Sequence, residues 1–268
     1  MRHKALVAAA AALLLIGLGS APAQAITDGQ PDGDDHPYVG LMVAQTADGD
    51  PLWRCSGTLI SPTVYLTAGH CTFGAEHVEI WFQSDLEPDP ASLGYPYDGQ
   101  VGGTPYTHPQ YDDNAFYLYD LGVVVLDEPV YLPEYGELPT LNQLDSYAKS
   151  TKKDAWFTAV GYGLQKSFPD AASWKDEALR TRYVSTPKLT SINGGYAGDY
   201  ALILSNNANT GGTCSGDSGG PNFIGDTNVI AGVTSFGKNV TCAGTGGVYR
   251  VDRADDLDWI YATFGDQL

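Results

Sequence analysis

The sequence predicts an all-β protein, on three observations. Short runs of β-branched and aromatic residues recur at 38–44, 64–67, 78–82, 121–126, 156–160, 201–204 and 229–236. Clusters of Gly, Pro, Asn and Asp separate them, and the 32 glycines and 16 prolines are scattered along the chain. Short strands joined by many tight turns describe a barrel or a sandwich, since such turns need residues that tolerate or preset unusual backbone angles.

The first 25 residues read as a leader rather than as part of that fold. Arg2 and Lys4 precede an uninterrupted small and apolar run of 14 residues, Ala5 to Leu18, and Ala23-Gln24-Ala25 supplies a small-x-small cleavage pattern. The run is short of the roughly 20 residues that a bilayer-spanning helix needs. Cleavage after Ala25 leaves 243 residues, enough for one large domain or two small packed ones; a second cut after Ala21-Pro22-Ala23 is the alternative. The expectations are therefore a signal peptide over 1–25, secretion, and no membrane association once it is removed.

The stretch from Pro129 to Asp145, with three prolines and few strand signals, is the best place for a link between two halves. Near the end the period changes. Leu257, Ile260, Tyr261 and Phe264 fall at helical spacing, with Asp255 and Asp256 at the start and Gly265 after the end. That is an amphipathic helix with acids at its positive end and a glycine stop.

The formal charge of −18 becomes −20 when Arg2 and Lys4 leave with the leader, which opposes binding to nucleic acid or anionic lipid. Four cysteines in an exported chain are expected to be oxidised. Cys55 with Cys71 would close a short loop and Cys214 with Cys242 another, each adding about 3 kcal/mol in the chain-entropy model. A zinc site is disfavoured, because no CxxC spacing exists and no histidine lies near the second pair. No metal or other cofactor is expected.

The strongest chemical signal is Gly216-Asp217-Ser218-Gly219-Gly220-Pro221, after Cys214-Ser215. A serine flanked by glycines can project from the backbone, and its small neighbours leave amide N–H groups open to an oxyanion. A glycine-rich turn with an incidental serine is the bland account of the same residues. Chain order then decides between folds. An α/β-hydrolase places its histidine after the nucleophile, and all five histidines here (His3, His36, His70, His77, His108) precede Ser218. A secreted esterase on that fold therefore fails.

Of these, His3 leaves with the leader, and His36, His77 and His108 stand in turn-like, surface contexts. His70, in Thr67-Ala68-Gly69-His70-Cys71 after an apolar run, has a strand end and a cysteine to hold its imidazole as a general base. Asp120 enters the buried-looking run Leu121 to Leu126, where an acid needs a partner such as His70. Asp112, Asp113 and Asp127 read as solvated turn residues.

These stretches, with TAGHC ending at Cys71, YDLGVVVL from Tyr119, CSGDSGGP from Cys214 and TSFG from Thr234, resemble the chymotrypsin/trypsin family of serine proteases across the mature chain. The resemblance implies two packed six-stranded antiparallel β-barrels with a C-terminal α-helix. The first, over 26–135, would carry His70 and Asp120, and the second, over 136–268, Ser218 and the helix. It further implies a serine endopeptidase working through an acyl-enzyme. Ser218 is its nucleophile, His70 its base and Asp120 the orienting acid, with the N–H groups of Gly216 and Ser218 as the oxyanion hole. Ser235, Phe236 and Gly237 would pair with extended substrate.

By the same resemblance, a freed amine at Ile26 pairs with Asp217, so that leader removal alone would activate the chain. Asp28 departs from the glycine usual at its position. The pocket floor falls at Gly212, followed by Thr213, and the walls at Gly237 and Gly247. With no carboxylate there, the expected preference is for a large apolar or aromatic P1 side chain and not for Arg or Lys. Lys238 beside the wall is the feature that could favour an acidic one. Protein or peptide substrates and protein inhibitors are the implied partners of a monomer. The competing class is a non-catalytic binding module on the same fold, which usually lacks a triad residue or the oxyanion glycine.

Overall fold

The computed structural model describes residues 26–148, 155–165, 178–239 and 241–268, so the expected leader lies outside the described residues. Six strands form a closed antiparallel barrel: β2 (Val39–Gln45), β3 (Pro51–Leu59), β4 (Val64–Thr67), β5 (His77–Trp81), β6 (Val101–Thr107) and β7 (Gly122–Leu126). Their order is β2-β3-β4-β7-β6-β5, and β5 closes back on β2 with Leu41 opposite Trp81. Closure removes free edges, and it buries Leu41, Tyr65, Val78, Ile80, Trp81 and Val123 in one core.

The second half contains β8 (Phe157–Gly161), β9 (Tyr183–Ser185), β10 (Leu189–Ile192), β11 (Ala201–Asn206), β12 (Pro221–Ile224), β13 (Ile230–Gly237) and β14 (Gly244–Arg250). With the short β1 (Gln30–Pro31) they make an eight-stranded sheet, in the order β1-β9-β8-β12-β13-β14-β11-β10. This differs from the second six-stranded barrel that the resemblance implies. β9 pairs with β8 and β10 with β11, so β9 and β10 together occupy the place of one strand. Pro187, between them, has no N–H to give a ladder. Among the described residues, only an isolated Trp156–Lys188 bridge joins the β8 side to that gap. The sheet curls round without a continuous closing ladder.

A buried cation ties the N-terminal segment to both sheets. The Arg182 guanidinium donates to Asp32 (2.7 Å), to the carbonyls of Gly33, Val39 and Phe82, and to the Tyr162 hydroxyl. A buried guanidinium is tolerable only when its donors are met in this way.

The C-terminal helix α2 spans Ala254–Phe264, and Leu257, Ile260 and Phe264 are buried as expected. Burial of each such side chain is worth roughly 1.5–3 kcal/mol. One expectation needs correction: Tyr261 is 55% exposed, because it lies on the edge of the stripe. Asp255 and Asp256 stand in the first turn as expected, and Asp256 is also buried there, accepting from the Tyr249 hydroxyl (3.0 Å), with burial pushing its carboxyl up to about 8. Gly265 keeps right-handed angles, and the chain runs on into a 3₁₀ turn instead of reversing.

Candidate active site

β4 and β7 pair with Thr67 opposite Gly122, which brings the residues after one strand beside those before the other. The backbones meet closely there. A Cβ on Gly69 would sit 3.0 Å from the Leu121 nitrogen, a tight fit that a larger residue would have to push apart. His70 follows in the short helix α1 (Gly69–Thr72), and the Cys55–Cys71 disulfide anchors the next residue to β3.

Asp120 has no solvent exposure and accepts four contacts. The His70 backbone N–H donates at 2.8 Å, and His70 Nδ1 lies 3.0 and 3.1 Å from the two carboxylate oxygens. Ser235 Oγ donates to Oδ2. Burial pulls the His70 pKa down, but the Asp120 charge and hydrogen bond, helped by the Asp113 charge, outweigh it and hold it above the ordinary 6.5. Asp112 and Asp113 are exposed, as expected. The carboxylate favours the tautomer with the proton on Nδ1, leaving Nε2 as the basic nitrogen.

Ser218 is half-buried on the loop before β12. Its carbonyl accepts from Ser56 N–H (2.7 Å). The next residue, Gly219 (φ +77°), presses against the strand end leading to His70: a Cβ there would stand 2.0 Å from Thr67 Oγ1 and 2.8 Å from the Ala68 nitrogen. Ser218 is thereby held against the His70 segment. The His70–Asp120 link is made. Between Ser218 Oγ and His70 Nε2 no hydrogen bond is formed among the described residues. Such contacts are often long before substrate binds.

Gly216 has φ +95°, a conformation that favours glycine. The N–H groups of Gly216 and Ser218 donate to no protein acceptor among the described residues, which leaves two adjacent donors for a ligand oxygen.

Asp217 between them is wholly buried and accepts from Gly163 N–H (2.7 Å) and Cys214 N–H (2.8 Å). Burial pushes its carboxyl up to about 7, against the pull of those two amides and the Arg54 charge. Ile26 is also wholly buried, clustered with Ala159 and Tyr183. No Ile26–Asp217 bond is present among the described residues, in a chain that carries Ala25 ahead of Ile26. Yet Ala159 and Gly161 are i and i+2 on β8, on one face and about 7 Å apart. A Cβ on Gly161 would meet the Asp217 carboxylate at 2.4 Å. Asp28, where the family's usual start has glycine, takes φ +56°, an angle that Asp tolerates better than most residues.

A cavity of about 410 Å³ opens beside Ser218, lined by the expected Thr213, Ser235, Phe236 and Gly237. Two expected lining residues are elsewhere. Gly212 packs on Asn206, 2.3 Å from where its Cβ would be, and the ring of Phe236 covers Gly247 at the same distance. The slot is thus walled by an aromatic ring where a bare glycine wall was expected. Ser215, Thr234, Lys238, Asn239 and the Cys214–Cys242 disulfide line the rest.

Of the other histidines, His108 is buried at 3% exposure, stacked on Tyr119 and edge-on to Trp259 of α2. His36 is half-buried, pairing with Asp32 and stacking on Phe223. The sulfurs near His70 are joined to each other, so they offer no thiolate to a metal.

Among the described residues, no helix is long and apolar enough to cross a membrane. The family model described as Trypsin matches residues 29–260. The chain is 31% identical over 219 residues to a protein named Trypsin from Saccharopolyspora erythraea, covering 80% of this chain and 87% of that one. It is 32% identical over 227 residues to Brachyurin from Leptuca pugilator, covering 81% and 90%. The solved structure of HL collagenase superposes with a TM-score of 0.68 at 21% identity, covering 89% of this chain and 98% of that one, which speaks for the fold alone. The chain belongs to the trypsin family and is a serine endopeptidase.

Proposed function

We propose that this endopeptidase is exported, cleaved after Ala25, and hydrolyses peptide bonds through an acyl-enzyme on Ser218. In this reading Ser218 Oγ bonds to the scissile carbonyl carbon as its proton passes to His70 Nε2. The carbonyl oxygen takes the negative charge, met by the N–H groups of Gly216 and Ser218. As the C–N bond breaks, His70 returns the proton to the departing amine, and water repeats the sequence on the ester. Asp120 orients the imidazole and stabilises its charged form. This is the family's mechanism, carried over with the resemblance. The observation that supports it best is the His70–Asp120 pair, set beside two amides with free donors.

For the P1 residue we propose a large apolar or aromatic side chain. Among the described residues no carboxylate lines the 410 Å³ cavity, and Phe236 gives it an aromatic wall. A second reading rests on Lys238: this exposed residue lines the cavity and pairs with no carboxylate among the described residues, which favours an acidic side chain. Profiling of cleavage sites in a peptide library tests both. Cuts after Phe, Tyr or Leu support the first, cuts after Asp or Glu the second, and dominant cuts after Arg or Lys overturn both. N-terminal sequencing of active protein that begins anywhere but Ile26 overturns the processing claim.

The fold also serves binding. A solved neighbour at TM-score 0.65 and 20% identity is named HBP, and another is named human heparin binding protein. A formal charge of −18 argues against a sulfated polysaccharide as this chain's ligand. The further readings, residues 26–135 and 136–268 as two domains, a monomer, and control by protein inhibitors, belong to the same proposal.

A further inference from the structure

Ser56 is wholly buried in β3, next to the disulfide at Cys55 and where the two sheets meet. All of its polar groups are used. Its N–H donates to Ser218 O (2.7 Å), and its carbonyl accepts from Thr67 Oγ1 (2.8 Å). Its side chain accepts from Tyr162 N–H (3.0 Å) and donates to Gly216 O (2.9 Å). The direction of the hydroxyl hydrogen follows from this: an amide can only donate, so the hydroxyl hydrogen goes to the Gly216 carbonyl.

The carbonyls that Ser56 holds belong to the peptides 216–217 and 218–219, on either side of the peptide that carries the Ser218 N–H. Gly216, at φ +95°, has no side chain to limit rotation of its peptide planes. The N–H edges of the two peptides are held by Cys214 O (3.0 Å, from Asp217) and Thr234 O (2.7 Å, from Gly219), and their carbonyl edges must be held as well to fix the amides that face the oxyanion. We propose that the Ser56 hydroxyl is a positioning residue for the oxyanion loop, bridging Gly216 O to Tyr162 N–H and so aiming the Gly216 and Ser218 amides. The inference rests on the acyl-enzyme reading above. Ser56 touches no substrate; it acts through Gly216.

Ser56→Ala leaves the Gly216 carbonyl and the Tyr162 amide without their partner, and its methyl occupies the space a water would need. Loss of a whole oxyanion donor costs about 10²- to 10³-fold in turnover. Misaimed donors that remain in place lose part of that, about tenfold in kcat. Ser56→Gly leaves room for one water to bridge the same two groups, and a bridging water is nearly as good as a direct bond. The glycine variant is therefore the more active of the two, although it removes more atoms.

The test measures kcat and KM on a peptide amide, and inhibition by a peptidyl aldehyde, which forms a tetrahedral adduct on the serine. The expected result is a fall of about tenfold in kcat and a matching fall in aldehyde affinity for Ser56→Ala, with KM within twofold and Ser56→Gly in between. Should the alanine variant not fold, Ser56→Cys, of similar size with a weak donor, takes its place in the comparison. Folded variants with unchanged kcat and aldehyde affinity, or with the whole loss in KM, overturn the proposal. Wild-type protein that neither cleaves peptides nor reacts with a fluorophosphonate overturns the acyl-enzyme reading itself, and this proposal with it.

Discussion

Freeing the amine of Ile26 is expected to change how stability depends on pH, and the buried Asp217 sets the size of the effect. In the chain that still carries its leader, burial pushes the Asp217 carboxyl from 3.8 up to about 7. The folded state therefore holds this proton more tightly than the unfolded chain does. Its stabilisation is fully present below about pH 4 and is lost as pH rises to about 7. The whole interval corresponds to roughly 4 kcal/mol, since each tenfold change in proton affinity is worth about 1.36 kcal/mol.

An ammonium at Ile26, within 4–6 Å of the carboxylate, makes that acid about 10- to 1,000-fold stronger and returns about 1.4–4 kcal/mol of the loss near neutral pH. The assay is urea denaturation of two chains carrying Ser218→Ala to prevent self-digestion, one with leader residues retained and one beginning at Ile26. Their stability difference should be flat below about pH 4, grow between pH 4 and 7 in favour of the chain beginning at Ile26, and level off above. A difference that does not vary across this interval would refute the pairing of Ile26 with Asp217.

Two further outcomes follow from the same geometry. Arg182→Ala removes the cation that Asp32 and Tyr162 share inside the protein, and should cost about 3–5 kcal/mol in denaturant melts at unchanged m-value. A cost under 1 kcal/mol would mean the cluster is not a structural tie. Because His70 must be neutral to act as a base and its pKa is held above 6.5, the acidic limb of kcat/KM should have its midpoint above pH 6.5. Asp113→Asn should move that midpoint down, and added salt should shrink the difference, since Asp113 is exposed and its charge is screened. A midpoint that does not respond to Asp113 would assign the raised value to Asp120 alone.

Strands that carry β-branched and aromatic residues were legible in the sequence: β2, β4, β5, β7, β8, β11 and β13 all overlap the apolar runs. The other seven among the described residues, β3, β6 and β14 included, were not. β14 begins Gly-Thr-Gly-Gly and β6 contains Gly102-Gly103 and Pro105, composition that reads as a turn. Tertiary packing outweighs it: a Cβ on Gly103 would meet Val124 at 2.6 Å, so the close approach of β7 requires glycine within a strand. His70 and Asp120 could be found because each stands at the end of an apolar run, with a cysteine or a buried strand as context.

His108 misled for the opposite reason. Its neighbours in sequence are polar, and only α2, distant in the chain, supplies the Trp259 ring and Asp256 that enclose it. The pocket failed likewise at Gly212 and Gly247. Counting from the serine locates backbone positions, but it cannot say that Asn206 and Phe236 fill the space beside them. Ser56 carried no signal, since its role depends on carbonyls about 160 residues away.

Activation of Ser218 by His70 and Asp120 underlies every catalytic step proposed above. Reaction of the processed protein with a fluorophosphonate, followed by peptide mass mapping, measures this directly. A single adduct on Ser218, lost in His70→Ala and strongly slowed in Asp120→Asn, is the predicted result. An adduct at another residue, or equal reaction in all three proteins, contradicts it.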